Sequence, residues 1–134
     1  AALAAGSSST NAYAMISEHR IQLHVFGIRN CDTVRAALNW LETRNVPYTF
    51  HDLRAGALTP DLLRDWLESA HGPYLVNRRS ATWRKLDEAD KRAVEADPAP
   101  VLLEHPTLLK RPVITDGEAI LDVGFDPESL EDYI

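Results

Sequence analysis

The pattern of apolar and polar positions predicts a strand followed by a helix near the start of the folded part. Residues 21–26 alternate apolar and polar side chains, which is typical of a short β-strand, and Gly27 ends it. Asp32 or Thr33 is placed to cap the helix that follows, and Asn45 marks its end. The apolar positions of this helix recur at 3.6-residue spacing: Val34, Ala37, Leu38 and Leu41.

A second strand is expected at 48–53, where apolar and polar residues again alternate. Because a helix connects them, the two strands are predicted to run parallel. Further helices are expected from Thr59-Pro60-Asp61 to near Gly72-Pro73, at 87–95 and at 100–105.

The strongest hairpin pattern lies near the C-terminus, where Asp116-Gly117 separates the apolar runs 113–115 and 119–121. A last helix is predicted to begin near 126–128. The element order indicates an α/β protein with a small mixed sheet covered by helices, the layout of a thioredoxin-like fold.

Composition favours one soluble domain. The chain has 134 residues, of which 45% are hydrophobic and 25% charged. Residues 1–14, rich in alanine and serine, are expected to be a remnant of expression or disordered, and residues 15–134 to form the single domain. A lone cysteine and the lack of any long apolar run indicate a cytoplasmic protein without a membrane span. The net charge of −6 disfavours nucleic acid and anionic membranes as partners.

Cys31 is the only cysteine, and it lies where the first strand gives way to the first helix. Unpaired backbone N–H groups at a helix N-terminus favour an anion, and Arg29 adds a nearby cation. This placement predicts a stabilised thiolate, which is a nucleophile at neutral pH. The alternative interpretation is that Cys31 is a small buried apolar residue.

Three separated runs narrow the fold further: residues 27–34 (GIRNCDTV), 75–86 (LVNRRSATWRKL) and 105–114 (HPTLLKRPVI). Together they resemble the arsenate reductase (ArsC-like) family, which is related to glutaredoxins, and most closely its YffB-like branch of glutathione-dependent thiol reductases. The resemblance implies a glutaredoxin-like, four-stranded mixed sheet with a helical insertion. It further implies that Cys31 is the nucleophile, that Arg111 binds an anion, and that Pro112 is cis and offers its neighbouring backbone to glutathione.

The chain departs from the arsenate reductases at two places. Asn77 stands where those enzymes have an arginine, although Arg78 and Arg79 are close, and residues 121–125 lack the third arginine. Because arsenate needs several fixed cations, arsenate reduction is kept as an alternative only. The related Spx-type regulators carry a Cys-x-x-Cys switch, which Val34 excludes here.

The leading hypothesis is a monothiol oxidoreductase enzyme with glutathione, or another small thiol, as co-substrate and no bound cofactor. The cations expected to receive the carboxylates of glutathione are Lys110, Arg111, Arg78 and Arg79, with Arg111 the best placed. The alternative for single cations such as Arg78, Arg84 and Lys85 is a solvated surface position. Asn30 and Thr33 either donate hydrogen bonds in the site or serve as a turn residue and a cap. The alternative from another class is a non-catalytic module that binds a protein partner.

The histidines and tryptophans do not change this picture. The five histidines show no metal-ligand spacing, so no metal site is expected, and His105 is interpreted as a helix-ending residue. The three tryptophans are expected to pack in the core and the insertion.

Overall fold

The computed structural model describes residues 22–134, and its centre is a four-stranded sheet. The strands follow the order β2-β1-β3-β4, with β2 parallel to β1 and the other two neighbouring pairs antiparallel. The predicted mixed sheet is therefore confirmed. The strand bounds are β1 (Leu23–Gly27), β2 (Tyr48–Asp52), β3 (Val113–Thr115) and β4 (Ile120–Val123).

The helices of the described part lie between β1 and β2, between β2 and β3, and after β4. Their bounds are α1 (Asp32–Thr43), α2 (Pro60–Glu68), α3 (Ala81–Lys85), α4 (Glu88–Ala96), α5 (Pro98–Glu104) and α6 (Pro127–Glu131). Short 3₁₀ turns occupy 53–55, 72–74 and 106–108. None of the helices in residues 22–134 is long and apolar enough to cross a membrane. The expectation for residues 1–14 lies outside the described residues.

The first helix begins differently from the prediction. Cys31, and not Asp32 or Thr33, is the N-cap residue of α1. The end of α1 is as predicted, because Asn45 adopts a φ of 58° just beyond it. The thiol therefore lies where a capping oxygen ordinarily stands, beside the unpaired N–H groups of the first turn.

Two other helices of the insertion differ from the pattern. The helix α2 ends at Glu68, before Gly72, because the Ser69 hydroxyl donates to the Trp66 carbonyl at 2.6 Å and turns the chain. The helix α3 was not predicted, because five residues are too few to show a helical period. Its start is fixed by the Ser80 hydroxyl, which accepts the Trp83 N–H at 3.0 Å.

Two apolar clusters cover the two faces of the sheet. One joins the sheet to α1 and α6, and the other joins it to the insertion, where the Trp66 side chain is only 2% exposed. Gly27 lets α1 approach the sheet closely, since a Cβ there would lie 2.8 Å from a Val34 methyl carbon. This close approach lies at the end of β1, directly before the turn that carries Cys31.

The topology gathers two distant segments at one end of the sheet. Phe26, near the end of β1, pairs with Val113 at the beginning of β3. Because the two strands are antiparallel, the residues that follow β1 and those that precede β3 lie at the same end of the sheet. Cys31 and the Arg111-Pro112 peptide therefore lie at the same end of the molecule.

Candidate active site

Cys31 sits at the junction between a tight turn and α1. Its N–H donates to the Ile28 carbonyl at 3.2 Å, and its own carbonyl accepts the Arg35 N–H at 2.9 Å. The side chain is half-buried against the cluster on the α1 face. The backbone around the sulfur is therefore fixed on both sides while the thiol keeps some access to solvent.

The pKa of the Cys31 thiol is lowered from its usual value of 9.0. Burial raises it, but hydrogen bonding from the Val34 and Thr33 backbone N–H groups and from the Arg111 side chain outweighs burial. The positive charge of Arg111 lowers the pKa further. The arrangement thus favours a thiolate, the nucleophilic form of cysteine.

Arg111 is held by backbone carbonyls on the segment just before it. Its Nη1 atom donates to the Thr107 carbonyl at 2.9 Å and to the Leu109 carbonyl at 3.4 Å. Its Nε atom is buried and has no hydrogen-bond partner within residues 22–134. The guanidinium is anchored at one end, and its Nε–H keeps an unused hydrogen-bonding capacity among the described residues.

The peptide bond between Arg111 and Pro112 is cis, which confirms the expectation from the family resemblance. The Pro112 carbonyl accepts the N–H of Gly124, 2.9 Å away, so the loop after β4 is bound to this segment. Gly124 has a φ of 86°, which a glycine adopts without strain. The loop after β4 therefore supports the segment that carries Arg111.

The predicted neighbours of Cys31 contribute through the backbone. Asn30 is exposed in the turn, and its side chain makes no hydrogen bond to any described residue. Thr33 is also exposed and contributes its N–H to the thiol. Arg29 was expected to be the cation beside the thiol, but its guanidinium lies 4.2 Å from the centre of the Phe50 ring. Arg111 is instead the cation that acts on the Cys31 thiol.

The cations of the middle motif differ in what they contact. Arg78 pairs with Glu95 at 3.1 Å and lies over the Trp83 ring, so its charge is already engaged. The Arg79 guanidinium is exposed and forms no ion pair or hydrogen bond with the described part of the chain. Arg79 thus keeps a free charge, but no contact brings it to Cys31. Lys110 is exposed and lies against Gly124.

Sequence reasoning missed the residues that connect the middle motif to Arg111. The hydroxyls of Thr82 and Thr107 are 2.6 Å apart, and the Asn77 N–H donates to the Leu108 carbonyl at 2.9 Å. Both threonines lie within the family motifs, which was the only indication available. These contacts hold the segment that carries Arg79 against the segment that precedes Arg111.

Elsewhere in residues 22–134, no group of three or more His, Cys, Asp or Glu side chains is arranged to bind a metal ion. His105 follows the last residue of α5 as its C-cap, which confirms its helix-ending role. Trp66 is buried in the cluster of the insertion, and Trp40 and Trp83 pack against the two clusters, as expected.

Comparisons with known proteins agree with this architecture. A model of the ArsC family matches residues 26–133. An uncharacterized protein of Haemophilus influenzae is 42% identical over 109 residues, which are 80% of this chain and 94% of that protein. The global transcriptional regulator Spx of Staphylococcus aureus is 26% identical over 112 residues, 82% of this chain and 85% of the regulator. A solved structure of the YFFB protein gives a TM-score of 0.76 at 37% identity, covering 83% of this chain and 97% of that one.

Proposed function

The chain belongs to the ArsC family, whose thioredoxin-like fold it shares, and from this premise we propose that it is a glutathione-dependent monothiol oxidoreductase. One observation carries the proposal. The Arg111 guanidinium and the N–H groups of Thr33 and Val34 converge on the sulfur of Cys31 and lower the pKa of its thiol.

The reaction proceeds by two thiol–disulfide exchanges. The Cys31 thiolate attacks the glutathionyl sulfur of a mixed disulfide, forms a new S–S bond with it and expels the other thiol as its thiolate. A second glutathione thiolate then attacks the glutathionyl sulfur bound to Cys31. Oxidised glutathione leaves and the Cys31 thiolate is restored. The substrate disulfide is reduced by two electrons, and two glutathione moieties end as one disulfide.

The resolving thiol comes from outside the protein because Cys31 is the only cysteine of the sequence. Arg111 lowers the pKa of Cys31, and a low-pKa thiol is also the better leaving group in the second exchange. The backbone beside cis-Pro112 is the surface we assign to the peptide part of glutathione. Arg79, with its free guanidinium, is the proposed partner for a glutathione carboxylate.

Arsenate reduction is the weaker candidate on the geometry of the cations. Within residues 22–134, Arg111 is the one guanidinium that contributes to the pKa of Cys31, and Arg78 is paired with Glu95. A multiply charged oxyanion requires several converging donors. The likeness to Spx supports a second candidate, a module that binds a protein partner without catalysis.

The first experiment measures Cys31 alkylation against pH by intact mass and then turnover of a glutathionyl mixed disulfide with glutathione. We expect a thiol pKa below its usual value and a turnover that disappears in Cys31→Ser. Full reductase activity in Cys31→Ser would overturn the proposal. A thiol with an ordinary pKa and no turnover, combined with a partner interaction that survives Cys31→Ser, would favour the binding module.

A further inference from the structure

The contacts around Arg111 extend into the helical insertion. The Nη1 atom of Arg111 donates to the Thr107 carbonyl at 2.9 Å, and the Thr107 hydroxyl lies 2.6 Å from the Thr82 hydroxyl. Thr82 belongs to α3, which begins three residues after Arg78. A continuous chain of hydrogen bonds therefore runs from α3 through Thr107 to Arg111.

We propose that Thr82 is a positioning residue for Arg111: its hydroxyl fixes Thr107, whose carbonyl in turn fixes the guanidinium beside Cys31. The inference deepens the proposed function, since it concerns the acidity of the same nucleophile. Thr82 itself does not touch the sulfur. Its side chain acts only through the orientation of Arg111.

Two observations give this chain of contacts its importance. Thr107 lies in a three-residue 3₁₀ turn, which has few internal hydrogen bonds of its own. Two backbone hydrogen bonds join this turn and the residues after it to the segment around Asn77. The Asn77 N–H donates to the Leu108 carbonyl at 2.9 Å, and the Lys110 N–H donates to the Leu75 carbonyl at 2.7 Å. The hydrogen bond between the Thr82 and Thr107 hydroxyls is the side-chain contact that holds Thr107 directly. The carbonyl of the same Thr107 accepts the hydrogen bond from the Arg111 guanidinium.

The geometry of Arg111 makes its position sensitive to this support. Its Nε atom is buried without a hydrogen-bond partner among the described residues. Its two hydrogen bonds to the backbone are both to carbonyls of the supported segment, on Thr107 and Leu109. A shift of that segment therefore moves the guanidinium relative to Cys31, and Coulomb interactions weaken with distance.

The test is the pH profile of Cys31 alkylation in Thr82→Val, which keeps the shape of the side chain but removes the hydroxyl. We expect the pKa of Cys31 to rise by about 0.5, because displacing a cation loses part of the one- to three-unit effect of a close charge. Thr82→Ser keeps a hydroxyl, so we expect its alkylation profile to match that of the wild type. A profile in Thr82→Val equal to that of the wild type would overturn the inference.

A matched control is Thr115→Val, which likewise removes a threonine hydroxyl that makes a hydrogen bond. The Thr115 hydroxyl is buried and accepts the Gly117 N–H at 3.1 Å. Thr115 lies at the opposite end of β3 from Arg111. This variant is expected to lower stability without moving the pKa of Cys31. An equal pKa shift in both valine variants would assign the effect to general loosening and contradict the proposal.

The decisive comparison places Thr82→Val in an Arg111→Met background. If Thr82 acts through Arg111, its substitution has no further effect on the Cys31 profile there, whereas an independent route gives the same shift in both backgrounds. The free thiol is measured throughout, so the result does not depend on turnover. Failure of the glutathione assay alone would remove the proposed function and leave the positioning role intact.

Discussion

The Nδ1 atom of His24 lies 2.9 Å from the Nε2 atom of His51, and this contact joins β1 to the edge strand β2. The ring centres are 5.1 Å apart and the ring planes differ by 27°, so the two nitrogens face each other nearly in the ring planes. One ring must donate and the other accept. His51 also stacks on Phe26, with ring centres 4.3 Å apart.

This pair predicts a loss of stability in mild acid. Burial first, and then the neighbouring His24, lower the pKa of His51 from 6.5. Below pH 6.5 the His51 side chain of the unfolded chain binds a proton, whereas in the folded chain it stays neutral until the pH reaches its lowered pKa. The free energy of unfolding therefore falls as the pH drops from 6.5 through that lowered pKa. Urea midpoints at neutral and mildly acidic pH measure the effect.

His51→Gln is the control for the histidine pair, because it keeps a polar side chain without this titration. We expect a smaller decrease of the urea midpoint between the two pH values in this variant. Asp116 is the charged group that faces His24 from the turn between β3 and β4, and it stays ionised over this range because hydrogen bonds from Ala119 and Glu118 lower its pKa. Identical decreases in the wild type and His51→Gln would refute the assignment.

Replacing Arg111 by methionine is expected to raise the pKa of the Cys31 thiol by about one unit, since both a hydrogen bond and a close positive charge are lost. The measurement is the rate of alkylation against pH. Arg78→Met is the matched control, because Arg78 pairs with Glu95 and is expected to leave the profile unchanged. A shift produced by Arg78→Met and not by Arg111→Met would reverse the assignment of the site cation.

Gly27→Ala is expected to lower the free energy of unfolding by about 1–3 kcal/mol through overpacking. The new Cβ would lie 2.8 Å from one Val34 methyl carbon and 3.0 Å from the other. Chemical denaturation measures the change. The double variant Gly27→Ala/Val34→Ala opens that space, so we expect the double variant to recover part of the effect that the two substitutions have separately. Additive losses would show that the close approach is not the cause.

Asp122→Asn is expected to stabilise the protein at neutral pH. Burial, opposed by the Asp126 N–H at 2.8 Å, raises the pKa of this carboxyl, whose residue is 5% exposed. An ionised Asp122 therefore destabilises the fold at neutral pH, and wild-type stability increases as the pH falls through the raised pKa towards 3.8. The advantage of the variant is thus expected to shrink in acid. A lower urea midpoint for the variant at neutral pH contradicts this account.

The elements that sequence reasoning identified are those with a local pattern. Alternation identified β1, the Asp116-Gly117 turn between two apolar runs identified the hairpin of β3 and β4, and the Thr59-Pro60 pair identified the start of α2. The cap of α1 was misassigned because Asp32 and Thr33 are frequent capping residues and cysteine is not. Local preference gave the wrong residue there because the position is used to place a thiol.

The site cation depended on contacts that no local pattern contains. Arg29 is close to Cys31 in sequence, but its guanidinium lies over Phe50 on the neighbouring strand. Arg111 reaches the thiol because β3 pairs with β1, and only the family resemblance pointed to it. The hydrogen bond between Thr82 and Thr107 joins two polar residues that are distant in sequence, and no sequence spacing predicts it.

Because the cation beside Cys31 is supplied from far along the chain, the acidity of the thiol depends on the completed fold. In the unfolded state neither the first turn of α1 nor Arg111 acts on the sulfur, and its pKa returns towards the ordinary value. The fraction of thiolate at neutral pH therefore decreases on unfolding, whereas a cysteine buried in an apolar core becomes more reactive when it is exposed. A nascent or damaged chain thus carries a thiol with a smaller thiolate fraction, and the full thiolate population appears together with native structure.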